Sequence, residues 1–110
     1  MPSENFNIDE ITEARRKSIA ETIHPISVEE LNVLGEGLFP GADHPWRERF
    51  FNFLAENSEA TFYHGTTHDR VHIIYCRSKE NGIWFMGDLG MGPLQTKGLK
   101  ILKEIVDAGR

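Results

Sequence analysis

Apolar residues recur three and four positions apart through the first half of the chain and alternate in short runs through much of the second. That change of period predicts helices first and strands afterwards. Asn7 and Glu10 have the spacing of a capping box and open a first helix. Its apolar stripe, Ile8, Ile11, Ile19 and Ile23, is sparse and broken by Arg15, so this helix is expected to be peripheral or to need a partner. His24-Pro25 ends it, because proline disfavours helical geometry in the residue before it. Ser27 and Glu30 make a second capping box ahead of Val28, Leu31, Leu34 and Leu38. Pro45 suits the first position of a third helix, where Trp46, Phe50, Phe53 and Leu54 share a face, read as core.

From Ala60 the segments TFYHGT, RVHIIYC and GIWFM are rich in β-branched and aromatic residues and separated by short polar turns. Asn81-Gly82 is turn material able to take positive φ. Connections this short require antiparallel pairing. The middle run, Val71 to Tyr75, is apolar on both faces and is expected to be central. After GDLGMGP, Pro93 fits the first turn of a last helix that buries Leu94, Ile101, Leu102, Ile105 and Val106. The expected fold is α+β, ordered ααα-βββ-α: three N-terminal helices, a three-stranded antiparallel meander sheet and a C-terminal helix. Residues 1–6 read as a tail and 7–110 as one domain.

Composition narrows the function classes. A formal charge of −5, with basic residues scattered, argues against a nucleic-acid partner, which would need lysines and arginines to neutralise phosphates. Cys76 is the one cysteine, so an internal disulfide and multi-thiolate zinc sites are excluded. No apolar run approaches the roughly 20 residues of a membrane span, so no membrane partner is expected. The opening MPSENFNIDE lacks a basic region followed by an apolar stretch, which makes a cytoplasmic location the expectation.

The candidate chemistry lies in two places. In HGTTHDRVH, His64, His68 and His72 are four apart, but the glycine, threonines and β-branched residues favour a hairpin over a metal-binding helix. A two-residue turn at His68-Asp69 sends His64 and His72 to opposite faces; a three-residue turn at Thr67 to Asp69 sets them directly opposite, about 5 Å apart at Cβ. His68 sits at the tip in either case. Asp69 is the nearby carboxylate, and polar hairpin residues are preferred to a metal site. The equal spacing of His24, His44 and His64 reads as accidental. The second place is the glycine-rich loop, where Gly90 and Gly92 permit close backbone approach and Lys97 is one turn into the helix, the recipe of an anion site. Asp88 opposes an anion there, and a plain strand-to-helix connection is preferred.

YHGT, residues 63–66, resembles the strand motif of ADP-ribosyltransferases, in which a His-Gly-Thr step binds nicotinamide adenine dinucleotide. The resemblance implies nucleotide contacts from His64 and Thr66; the downstream Glu80 and Glu104 fall in a turn and on a helix. Nucleophilic catalysis is not expected. Cys76 lies in an apolar strand, and Ser58 and Ser78 lie in polar loops. No catalytic residue, metal or cofactor is therefore assigned. Two readings remain. One is a non-enzymatic module that binds a protein partner or a second copy of itself. The other is a small-ligand, anion or nucleotide-binding protein using His64, His72, Gly90, Gly92 and Lys97.

Overall fold

The computed structural model describes residues 12–86 and 90–109. Helix α1 spans Glu13–Thr22 and is capped by Thr12, whose side chain accepts from the Arg15 N–H. The expected Asn7–Glu10 box, Ile8, Ile11 and the tail lie outside the described residues. Strand β1, His24–Ile26, follows at once, then α2, Val28–Leu38, and α3, Arg47–Glu56. The Ser27–Glu30 capping box is present: the Glu30 N–H donates to Ser27 Oγ (3.1 Å) and the Ser27 N–H donates to Glu30 Oε1 (3.0 Å). Pro45 is not the first residue of α3. His44 Nδ1 accepts from the Trp46 N–H and the Arg47 N–H bonds to the His44 carbonyl, so a turn holds 44–47 and the helix starts at Arg47.

Strands β2 (Phe62–Thr66), β3 (His72–Cys76), β4 (Asn81–Phe85) and β5 (Met91–Pro93) precede α4, Thr96–Gly109. The sheet has five strands in the order β1-β2-β3-β4-β5, every neighbouring pair antiparallel. The expected three-stranded meander is therefore its centre, and a short strand is added at each edge. β1 interrupts the series of N-terminal helices, and Pro93 belongs to β5 rather than to α4. Both edge strands contain a proline, tolerated there because an edge residue need not donate to a ladder.

The sheet carries a core on each face. On one, Ile19 of α1, its C-cap residue Ile23, and Leu102, Ile105 and Val106 of α4 pack on Tyr63, Ile73 and Tyr75. On the other, Leu31, Phe39, Phe50 and Leu54 pack on Phe62, Ile74, Cys76, Ile83 and Phe85. β3 is central and its Ile73, Ile74, Tyr75 and Cys76 are all buried, as its unbroken apolar run predicts. The described half of the expected stripe is not peripheral: Ile19 and Ile23 are 0% and 2% exposed. Gly65 admits them, since a Cβ there would lie 3.3 Å from Ile23 Cβ.

Candidate functional site

The hairpin between β2 and β3 adopts neither expected register. Thr66 pairs with His72, Gly65 with Ile73 and His64 with Ile74. The Thr67 N–H bonds to the Val71 carbonyl and the Arg70 N–H to the Thr67 carbonyl, with Arg70 at φ 70. The loop proper is therefore His68-Asp69-Arg70, one residue later than a turn at Thr67 to Asp69. Tertiary contacts hold that shift. Thr67 Oγ1 accepts from the Val71 N–H (2.9 Å) and donates to Asp69 Oδ1 (2.5 Å). Arg15 of α1 binds Asp69 Oδ2 at 2.9 Å, and the His68 N–H donates to Ser18 Oγ.

In this register His64 and His72 are diagonal neighbours on one face of the sheet, within reach of long or cyclic side chains. His64 Nε2 lies 3.1 Å from His72 Nδ1, a hydrogen bond, and the two ring planes are 3° apart. His24 stands directly across from His64, its ring edge-on at 5.6 Å between centroids. His72 stands across from Phe85, the rings 5.0 Å apart and parallel. A row His24, His64, His72, Phe85 thus crosses four strands on the α2–α3 side. His24 was missed because a three-residue strand after a helix leaves no alternation to read. His68 is exposed at the tip, as expected.

Both central imidazoles favour the neutral form. Burial, then the neighbouring His72 and His24, pushes His64 down to about 4 from its ordinary 6.5. Burial also lowers His72. Neutral imidazole has one donor and one acceptor nitrogen. When one ring donates to the other, the outer nitrogens, His64 Nδ1 and His72 Nε2, are left as one N–H and one lone pair whichever ring donates. His24 Nδ1 donates to the Thr22 carbonyl at 2.9 Å.

The other candidates lie elsewhere. Gly92 pairs with Trp84, so it belongs to the face opposite His64 and His72, and Trp84 covers it: a Cβ would meet the indole Nε1 at 3.0 Å. Gly90 accepts from the Met86 N–H beside the same ring. Residues 90–93 therefore pair with β4 rather than leading directly from a strand into a helix, and Lys97 is exposed in the first turn of α4. The five residues do not come together. Among the described residues, no group of three or more His, Cys, Asp or Glu side chains is placed to hold a metal.

Cys76 is buried, and burial pushes its thiol up to about 12. Ser78 Oγ accepts from the Thr61 N–H. In the YHGT segment, Thr66 is tied to α1 through Thr22 Oγ1. Glu80 pairs with Lys103 and Glu104 with Arg16, while the charges acting on His64 are those of His72 and His24. What the fold and site define is a small α+β domain with a histidine row on one sheet face, exposed at His24 and partly buried at His64 and His72. Comparison with models of protein families, with curated proteins and with solved structures gave no match.

Proposed function

We propose that this chain is a small binding module without catalytic chemistry of its own, and that it holds a polar small molecule against the histidine row. The observation that carries this is the His64–His72 hydrogen bond of 3.1 Å between two rings that favour the neutral state. Such a pair offers one donor and one acceptor at a fixed spacing, flanked by the His24 and Phe85 rings. Binding sites of this kind rely on a few convergent polar groups set among apolar walls. Cys76 favours its inert thiol form, which supports a binding role over nucleophilic chemistry.

A protein partner or a second copy is the competing reading. It drew on the apolar stripe of α1, whose Ile19 and Ile23 are covered within the chain. Val33, 74% exposed, is the large apolar side chain left at the surface of the described residues, and single exposed residues are ordinary. Titration with zinc chloride, inorganic phosphate and nicotinamide mononucleotide, read by amide and imidazole nitrogen shifts, tests the proposal. At least one probe should move His24, His64 and His72 saturably and leave a His64→Gln variant unmoved. If all three leave the row unshifted, the reading fails.

A further inference from the structure

β1 is an edge strand of three residues set between α1 and α2. Ile23 before it is buried in one core, and Ser27 after it caps α2, so any opening of the edge is confined to residues 24–26. The Thr66 N–H turns toward Thr22 and the Thr67 N–H toward Val71. Because N–H groups alternate along a strand, those of Phe62 and His64 face β1, and those of Tyr63 and Gly65 face β3. The pairs His24–His64 and Ile26–Phe62 thus attach β1 to the sheet. Pro25, between them, faces away, where its missing N–H costs nothing.

The groups that face His64 oppose a charge on it from two sides. His24 lies across from it on β1 and His72 is bonded to it from β3; these are the charges that act on it, and neither is an acid that could balance a proton. On α2, Glu30 interacts with His24, but its carboxylate is held by the N–H and hydroxyl of Ser27. His44, toward α3, is separated from the row by Phe39 and Phe85. His72 cannot retreat, because β3 is central and the residues that follow it are buried. His24 can: it is exposed, and it stands on the short edge. Like charges directly opposite across a ladder are destabilising, and the edge is where that repulsion is relieved.

We propose that the histidine row is an acid-sensitive latch on β1: near neutral pH the strand is zipped to β2, and acid unzips it while the other four strands stay paired. Opening gives His64 to water and uncovers the N–H and C=O groups of β2 at 62–64, an edge that a short strand with proline otherwise closes. The latch belongs to the free chain, so it holds or fails independently of what the row binds. Closed, His64 is held near 4; opened, it moves back toward its ordinary 6.5. Opening therefore takes up a proton, and for a ring that regains part of its hydration the open fraction rises about tenfold from pH 7 to pH 5.

Amide exchange of the full chain, in urea below the unfolding transition, tests this. Exchange at Phe62 and His64 should depend little on urea, since so small an opening exposes little surface, whereas Tyr63 and Gly65 on the same strand should follow global unfolding. Corrected for the intrinsic rates, opening at Phe62 and His64 should rise about tenfold between pH 7 and pH 5 and keep its weak urea dependence. His64→Gln should abolish that rise. His24→Gln, at an exposed position, should reduce it even where His64→Gln does not fold. A urea dependence at Phe62 and His64 equal to that at Tyr63 and Gly65 would overturn the proposal, by showing that the sheet opens as one. So would an opening that does not respond to pH, or a response undiminished in either variant.

Discussion

Single residues decide how closely the layers approach, and glycines show it best. Asn81-Gly82 reads as a turn able to take positive φ, yet Gly82 lies inside β4 and the positive φ belongs to Glu80. The glycine is required for a different reason. A Cβ at 82 would stand 2.3 Å from the Ile74 carbonyl oxygen and 2.5 Å from Leu94 Cδ1. The carbonyl is backbone of the central strand and has nowhere to go, so Gly82→Ala is an overpacking substitution expected to cost about 2–3 kcal/mol. Gly37 is the contrast, in α2 with open space around its missing Cβ. Gly37→Ala should add about 0.5–1 kcal/mol through helix propensity alone. Urea unfolding should move the two midpoints in opposite directions at unchanged slope. A glycine that is needed because another strand and a leucine crowd it has the same sequence signature as one needed for a turn. Only the packed structure separates them.

At the scale of elements, long periodic segments were legible and short ones were not. The Ser27–Glu30 box, the aromatic face of α3 and the apolar run of β3 each specify structure through their own residues. β1 and β5 are three residues long, contain proline, and exist because β2 and β4 offer free edges beside them. The hairpin register was hidden for the same reason: α1 sets it through Arg15, Ser18 and Thr22. β1 pairs with residues 62–64 and stops; beyond it, Thr22 Oγ1 accepts from the Thr66 N–H at 2.8 Å and Ser18 Oγ from the His68 N–H at 2.9 Å. Two hydroxyls one helical turn apart thus continue the edge that β1 leaves. Thr22→Val keeps the shape and removes the acceptor, so it should cost about 1 kcal/mol. Amide exchange at Thr66 should quicken about tenfold, with far less change at Ile74 in the central strand. Uniform acceleration at both positions would mean that α1 supports the whole sheet rather than clamping its edge.

For the whole molecule, the histidine row makes stability depend on acid. The sequence offered the candidates His64 and His72 and posed their meeting as a matter of register; they meet diagonally, an arrangement that neither expected turn produces. Once packed, His64 is held near 4, whereas in the unfolded chain it titrates near its ordinary 6.5. Between those values the unfolded state takes up a proton that the folded state refuses. The contribution of His64 is therefore complete above about pH 6.5, declines as pH falls, and is exhausted below about pH 4. His72, lowered in the same direction, adds to the loss. The shift would be worth about 3 kcal/mol for a fully desolvated ring. His64 is only half-buried, and solvent screening brings the expected loss to about 1–2 kcal/mol. Asp69, Glu30 and Glu36 are shifted down by their hydrogen-bonding partners, so their stabilising charge is lost lower, as pH falls below the ordinary carboxylate range. Unfolding free energies measured from pH 7 to 4.5 should fall in the parent chain. In a His64→Gln, His72→Gln double variant the decline should be much shallower, even if the variant starts less stable. Equal slopes would show that protonation of the pair does not oppose the fold, and that the two rings are neutral for no structural reason.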